Sequence, residues 1–493
     1  MSSRTGVVVV GAGPTGLALA CGLSAGGVPV RVLDKATGPA RTSRALGLQP
    51  RGAEVLDRLG ALGDLPDRSI GIGQVAVHIN GRHIASLRVG QRTKLVTRAG
   101  LLVSQAEIEA ALRHRLAELG GHVEWGADVV SAEQDPHGGT VVLGGGATVH
   151  ADWIVGCDGA HSRVRKAAGI GFPGVPLVER FLLADVHADL PIPRDTVSVW
   201  LRGADLLGAF PLPGEDLWRL MAPVPAGGAD EETVQLLARM LAQRSGLAAS
   251  SIGVAEWASG FGFHRRLAET YRRGRLLLAG DAAHIHSPFG GQGMNTGLGD
   301  AENLAWKLAL VCAGRAQPTL LDTYQAERRP IATEVLASTS GMTRLILGDT
   351  ALLRLMRDHA FVPLLNRPWI QRLIWEHASQ LKVNYRRGPL ARWTFTTGPR
   401  PGDRVPDLAC RHADGRPTRL HAELGSRWAL LVPDALDACV PVARKHLGEH
   451  AVTVLIPSRG RVHQPMLVRP DAHLGRRGAP IALDRWLAGI LGR

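Results

Sequence analysis

The 493-residue chain is poor in cysteine, poor in aromatic residues and free of long runs of any one kind. Its five cysteines, Cys21, Cys157, Cys312, Cys410 and Cys439, are widely separated and form no CxxC pair. That excludes a disulfide framework or a thiolate zinc site and fits a reducing, cytoplasmic compartment. His284 and His286 stand close together with no third ligand beside them, so no metal site is expected. No apolar run approaches the roughly 18 residues that a membrane span needs. The N-terminal apolar run is short and continues into glycines, which suits a strand better than a leader, so no membrane partner is expected. The net charge is +13, yet the basic residues are scattered, with pairs such as Arg265–Arg266, Arg272–Arg273 and Arg386–Arg387 as the densest points. Without a basic run interleaved with aromatics, nucleic acid is excluded as a partner. A basic surface still attracts anionic cofactors.

What is present organises around Gly6–Asp34, GVVVVGAGPTGLALACGLSAGGVPVRVLD. Val7–Val10 is a β-branched run that reads as a buried strand. The segment GAGPTG follows, with Gly11, Gly13 and Gly16 in GxGxxG spacing around Pro14 and Thr15. Leu17–Leu23 reads as a helix, and Val28–Leu33 as a second strand ending at Asp34 and Lys35. Gly11 permits the tight turn, Gly13 lets a pyrophosphate approach the backbone, and Gly16 lets helix and sheet pack closely. The helix N-terminus offers unpaired N–H groups to phosphate, and Asp34 can accept hydrogen bonds from a ribose. The motif is a dinucleotide fingerprint that does not by itself separate NAD from FAD.

The remaining chain predicts two or more further units, as about two or three domains are expected at this length. Arg51–Leu62 reads as a helix, and 72–99 as strands around a Gly81 turn. Ser104 and Glu107 form a capping-box pair ahead of a helix striped by Ile108, Ala111, Leu112 and Leu116, with Gln105 in its first turn. Strands are expected at Val123–Val130, Thr140–Val149 and Trp153–Val155. Prolines then break the βα pattern, and 176–268 reads as a mostly β layer: Arg180–Val186, Thr196–Leu201, Leu206–Phe210 and Leu217–Ala222, interrupted by a helix at Glu231–Gly246. The αβ pattern returns with a strand at Arg275–Ala279, Gly280–Asp281, a loop, and a helix from Met294 to about Cys312. Residues 331–383 read as largely helical with breaks at Pro363 and Pro368. Arg386–Asp403 reads as a linker, followed by a small α/β unit with strands at Trp428–Val432, Ala451–Ile456 and Met466–Val468.

Three motifs stand in order: GAGPTG at 11–16, CDGAHSRVR at 157–165, and GRLLLAGDAAHIHSPFGGQGMNTGLGDAENLAWKL at 274–308. Together they resemble the class A flavoprotein monooxygenases of the p-hydroxybenzoate hydroxylase fold, over roughly residues 5–345. Within that family the chain looks most like the aromatic polyketide hydroxylases and the rifampicin monooxygenases. The resemblance implies an α/β fold: a discontinuous Rossmann-like FAD-binding domain (1–175 and 269–345), a β-sheet substrate domain (176–268), a helical segment and linker (346–399), and a C-terminal thioredoxin-like domain without redox cysteines (400–493).

It also implies FAD as cofactor and NADPH or NADH as transient reductant, since no second GxGxxG follows a strand. The partners it implies are O2 and a small-molecule aromatic substrate, in a monomer or homodimer. In the family, a C4a-hydroperoxyflavin passes its distal oxygen to an electron-rich aromatic carbon. Asp281 is placed to accept hydrogen bonds from the ribityl chain and to cap local backbone N–H groups. Gly291, Gly293, Met294 and Asn295 open a helix whose N–H groups can face the isoalloxazine edge that is negative in the reduced state. Pro288 shapes the loop beside the flavin carbon where dioxygen adds. By resemblance, Arg44 contacts the pyrophosphate or sugar, Gln105 the ribityl or phosphate oxygens, the backbone near Val129 the adenine, and Arg219 the flavin itself. Asp158 matches the second fingerprint acid, linked to FAD and NADPH, although a structural cap for the following turn explains it equally well. Tyr271, Tyr324 and Tyr385 are the only tyrosines, and none falls where a phenol-deprotonating residue is expected. That absence suits a bulky, already acidic polyphenol, and the sequence names no catalytic base. Other readings stay open: Baeyer–Villiger insertion, oxidation without oxygen insertion, or a non-catalytic FAD-bound ligand-binding protein. Halogenation is disfavoured because no WxWxIP string occurs. A role in antibiotic biosynthesis or in resistance is not decided at this level.

Overall fold

The structure, a computed structural model, describes residues 5–40, 45–93, 95–203, 205–224, 232–285, 291–348, 350–391, 398–434, 436–458 and 463–492. The valine run forms the strand Thr5–Val10 at the centre of the first sheet. Val30–Asp34 lies parallel on one side and Thr148–Gly156 on the other, with Leu276–Leu278 parallel beyond it. Central parallel strands are covered on both faces, so the run is continuously apolar rather than alternating. The helix Pro14–Ala25 packs against the long helix Gly293–Cys312. A Cβ at Gly22 would lie 2.8 Å from the Ala305 Cβ, so glycine sets that approach.

Two local expectations change. The first helix starts at Pro14 rather than Leu17, because proline at the first position gives up an N–H that has no intrahelical acceptor anyway. The strand expected over 140–149 is two strands, Gly139–Leu143 and Thr148–Gly156, since the glycines at 144–146 turn the chain back on itself.

The second sheet has eight strands. Gly174–Ala188, Ile252–Leu267, Leu217–Pro223, Asp205–Pro211 and Thr196–Arg202 form its antiparallel body. The hairpin Gln74–Ile79 and Arg82–Arg88 completes one edge, with Gln74–Ile79 parallel to Thr196–Arg202. This corrects the expected partition: the hairpin lies within residues 1–175 but belongs to the second sheet. At the other edge Ile252–Leu267 pairs with His284–Ile285, which joins this sheet directly to the segment after Asp281. The helix Thr233–Ser245 covers one face, packing on Trp200, Trp218 and Leu220.

A third sheet of six strands lies in the C-terminal part. Its central strands Trp428–Leu431 and Val452–Pro457 are parallel, and the helices Cys439–Leu447 and Pro480–Leu491 bury Val440, Leu447, Trp486 and Leu487 in one core. Trp306 and Leu310 of the long helix enter the same core, so this unit is docked on the body and does not hang from it. The expected linker 386–403 is a closed loop at its described ends: the Tyr385 N–H donates to the Gly402 carbonyl at 2.7 Å, and Arg386 pairs with Asp403. Gly402 has φ +87°, and a Cβ there would meet the Tyr385 carbonyl carbon at 2.5 Å. Among the described residues no helix is long and apolar enough to cross a membrane.

The docking surface is ionic and buried. Glu327, fully enclosed, accepts from Lys307 (2.8 Å), from Asn303 (2.8 Å) and from both terminal nitrogens of Arg469 (2.7 and 2.9 Å). Burial opposes its charge, but these cations hold its pKa at about 2. Glu302 joins Arg58 (2.5 Å) and Arg51 (3.0 Å), and Arg51 reaches the Asp471 carbonyl (3.0 Å). Nearby, His421 is wired in its neutral form. Its Nε2–H donates to the Val405 carbonyl and its Nδ1 accepts from Arg58, each at 3.1 Å. Burial, then the Arg58 charge, holds its pKa down at about 4.

Two outcomes follow from these contacts. Glu327→Gln leaves the buried Lys307 without its counter-ion and Arg469 with Asp471 alone, and removing one partner of such a pair costs about 3–5 kcal/mol; a urea midpoint unchanged from wild type contradicts this. His421 is neutral when folded but titrates near 6.5 when unfolded, so its contribution is complete above about pH 6.5 and is lost as pH falls toward 4. His421→Gln therefore shows a shallower loss of stability between pH 6.5 and 4, read from thermal midpoints across that range.

Candidate cofactor-binding active site

The glycine turn has the contacts that a phosphate cradle requires. Gly11 takes φ +104°, and a Cβ there would lie 2.4 Å from the Cys157 carbonyl oxygen. A Cβ at Gly16 would lie 1.9 Å from the Gly11 carbonyl oxygen. Both positions therefore exclude any side chain, whereas Gly13 faces open space, with nothing within 4 Å of an added Cβ. The first helical bond runs from the Leu17 N–H to the Gly13 carbonyl, and no side chain caps the helix. The N–H groups of Thr15 and Gly16 are thus left at the mouth of the turn. Asp34 braces it: Oδ2 accepts from the Ala12 N–H at 2.7 Å and Oδ1 from the Ala36 N–H at 2.8 Å. Each carboxylate oxygen keeps a second lone pair. Lys35 is exposed beside it.

Three distant segments meet at Thr15. Added Cβ atoms at Gly280 and Gly297 would lie 2.6 and 2.2 Å from its Oγ1. The turn, the Gly280–Asp281 segment and the long helix are thereby held together by one small side chain between two glycines. Asp281 stands next to this junction. Its side chain is exposed to solvent at this junction. Desolvation raises its carboxyl pKa, with His284 lowering it and Asp300 raising it by lesser amounts. Among the described residues nothing hydrogen-bonds to this carboxylate. The backbone capping expected of Asp281 falls instead to Asp300, whose Oδ2 accepts from the Gly280 N–H at 3.1 Å.

The long helix begins at Gly293 without a side-chain cap, and its first bond is from the Thr296 N–H to the Gln292 carbonyl. The N–H groups of Gly293, Met294 and Asn295 therefore open at a helix N-terminus, which favours negative charge. Gly291 turns the chain into it at φ +59°. The Asn295 side chain fixes this end: Oδ1 accepts from the Gln49 N–H (2.9 Å), while Nδ2 donates to the Gly47 and Gly291 carbonyls (3.0 and 2.8 Å). Behind it, Asp300 accepts from His284 Nε2 and from Arg328 Nε, each at 2.7 Å, and Arg328 donates to the Thr296 carbonyl (2.9 Å) and the Tyr385 hydroxyl (3.1 Å).

Other expected positions are placed as follows. Arg219 is buried on the second sheet, on the face opposite the helix Thr233–Ser245. It makes a two-point pair with Asp185 on the neighbouring strand, at 2.7 and 2.8 Å. Asp158 caps the turn after it: Oδ2 accepts from the N–H groups of Arg163 (2.6 Å) and Val164 (3.2 Å), while the buried Oδ1 has no protein partner among the described residues. Gln105 opens its helix and donates to Glu109 at 2.8 Å, and Val129 is buried at the start of a strand. Arg44, Pro288 and His286 lie outside the described residues. All three tyrosines are buried, with hydroxyl pKa values raised by desolvation, so none of them is a phenol base.

The sequence reading missed Asp300 and Asp185. Asp300 had a visible signal: it sits one residue from Ala301 on a helix whose apolar stripe is broad, and a charge on such a helix needs a partner. Asp185 had none, because strand register pairs it with Arg219 across 34 residues.

The site contains a cradle closed to side chains except at Gly13, a solvent-exposed carboxylate beside it, and an uncapped helix N-terminus. Those are the requirements of a dinucleotide with a ring that becomes anionic, and the residues present fit FAD. Comparison with known proteins agrees. The family described as FAD binding domain matches residues 4–339. The 6-methylpretetramide 4-monooxygenase of Streptomyces rimosus is 37% identical, over 94% of this chain and 86% of that protein. A rifampicin monooxygenase of Streptomyces venezuelae is 36% identical, over 95% of this chain and 94% of its own length. The solved structure of the OxyS anhydrotetracycline hydroxylase from Streptomyces rimosus superposes with a TM-score of 0.79 at 33% identity, covering 100% of both chains. With the glycine cradle and this likeness along nearly its whole length, the chain belongs to the FAD-binding-domain family, among the class A FAD-dependent aromatic monooxygenases.

Proposed function

We propose that this enzyme hydroxylates a bulky aromatic substrate of polyketide or antibiotic type, with NAD(P)H as electron donor and O2 as oxygen donor, in the cytoplasm. The observation that carries the reading is the meeting of three segments at Thr15, with the solvent-exposed Asp281 beside them. The domain reading that accompanies it is an FAD-binding unit built from both ends of the matched region, the second sheet as substrate layer, and a thioredoxin-like C-terminal unit. The last reading is supported by its mixed sheet and flanking helices. Cys410 and Cys439 are buried and free there, so it carries no redox pair of its own.

FAD, when bound, supplies the redox chemistry, taking electrons from NAD(P)H and delivering one oxygen atom to the substrate. The chain's residues bind and orient. The N–H groups at Thr15 and Gly16 hold the pyrophosphate, the spare lone pairs of Asp34 accept from the adenosine ribose, and Asp281 accepts from the ribityl hydroxyls. Lys35, Arg44, Gln105, Val129 and Asp158 complete the cofactor envelope in this reading. Gly280 makes room for Thr15, and Gly291 turns the chain into the long helix. The N–H groups of Gly293, Met294 and Asn295 face the flavin ring's anionic edge, where a helix N-terminus contributes ~0.3–2 kcal/mol. Arg219 adds a cation whose charge Asp185 balances, so its effect is directional rather than a net positive field. With no tyrosine free to act as base, the substrate contributes its own acidic hydroxyl.

The test is NADPH consumption by the purified flavoprotein with tetracyclic polyphenols and ansamycins, with product masses read in parallel. A product heavier by one oxygen establishes the reading; substrate-stimulated NADPH loss with no heavier product from any compound overturns it. Asp281→Ala is expected to weaken FAD binding about ten- to a hundredfold, the worth of a charge-assisted hydrogen bond; full FAD content after dialysis removes Asp281 from the cofactor site. Arg219→Ala alone strands the buried Asp185, so the informative variant is Arg219→Met with Asp185→Leu. It is expected to fold while flavin reduction by NADPH slows at least about tenfold, or ~1.4 kcal/mol. An unchanged stopped-flow rate limits the pair to holding the sheet.

A further inference from the structure

The face of the second sheet that points away from Arg219 carries a half-open cleft of about 320 Å³. Strand register builds it. His83, His78 and Trp200 lie side by side on three adjacent strands, and their rings form a ladder. His78 stacks on Trp200 at 5.4 Å and 20°, and His83 meets His78 edge-on at 5.3 Å and 69°. One step along the same face the residues are small: Ala76 pairs with Ser86 on one side and with Ser198 on the other. The floor therefore drops beside a wall of aromatic rings. The Pro191–Pro193 segment and Leu247, just past the helix Thr233–Ser245, close the opposite side.

The chemistry of the lining is selective. No aspartate, glutamate, lysine or arginine contributes to it, although the chain as a whole is strongly charged. Burial, then the neighbouring His83, lowers the His78 pKa, so both rings of the stacked pair are neutral near pH 7. Ser86 and Ser198 line the same cleft, and their hydroxyls can hydrogen-bond to a ligand hydroxyl or carbonyl. A volume of this size reaches the lower bound of small-molecule sites, roughly 300 Å³, and offset stacking on Trp and His selects flat rings.

We propose that this cleft is a second ligand site, for an uncharged planar aromatic molecule of about two or three fused rings bearing a hydroxyl or carbonyl edge. Nucleotides are excluded because no cation meets a phosphate there. The sheet separates the cleft from the face that carries Arg219, so occupancy does not depend on the reaction or on the substrate assigned above.

The test is equilibrium dialysis of the FAD-loaded enzyme, without NADPH, against 1,5-dihydroxynaphthalene. Ser198→Phe fills the floor of the cleft, and Ser86→Trp fills it from the more open edge strand should the first variant fold poorly. Each is expected to bind one molecule fewer per chain than wild type while keeping its FAD and its rate of NADPH oxidation. That difference holds whether wild type binds two molecules, with the reaction cavity also occupied, or one. Equal stoichiometry in wild type and in both folded variants, or no binding to wild type, overturns the proposal. A failure of hydroxylation in the product assay leaves this stoichiometry untouched, so the two readings fail separately.

Discussion

A helix buried along most of its length cannot carry charges unless something neutralises each one, and this condition shapes the molecule around Gly293–Cys312. Asp300, Glu302 and Lys307 are almost wholly enclosed. Asp300 pairs with His284 and Arg328, Glu302 with Arg51 and Arg58, and Lys307 with Glu327, which adjoins Arg328 on the helix Asp322–Leu347. Asp471 and Arg469, from the C-terminal part, close the circle through Asn303, Trp306 and Glu327. Buried pairs of this kind contribute little net stability over an apolar core, but an unpaired member is costly. Their effect is to fix which segments surround the helix and in what register.

The N-terminus of the same helix has no side-chain cap. Its position relative to the glycine turn depends on Thr15 fitting between Gly280 and Gly297, and relative to the 47–49 segment on the Asn295 side chain. The ionic circle at its middle and the steric fit at its start therefore act on one rigid body. The C-terminal part, remote in sequence from the glycine turn, helps hold this helix.

Much of this was legible in the residues. The continuous valine run, the GxGxxG spacing and the terminal acid specified strand, turn and second strand, because these local rules depend on sterics within a few residues. The small residues of the first helix signalled close packing, and Gly22 against Ala305 is that contact. Less legible was the hairpin Gln74–Arg88. Its alternation announced strands, but nothing local says which sheet an edge strand joins. The pairing of the two ends of the expected linker 386–403 was illegible for a related reason. Proline, glycine and arginine describe a segment without regular structure, whereas the hydrogen bond between Tyr385 and Gly402 is a property of its ends.

The sequence by itself determined the strand, glycine turn and helix of the first motif and the family, since the turn rests on residue types at short fixed spacing and the family on three motifs standing in order. The tertiary structure alone decided that Arg219 is balanced by Asp185, that Asp300 rather than Asp281 caps the Gly280 backbone, and that three rings line up beside a small-residue floor. Those relations are set by register and by packing between segments tens to hundreds of residues apart, where no pattern within a window of sequence records the partner.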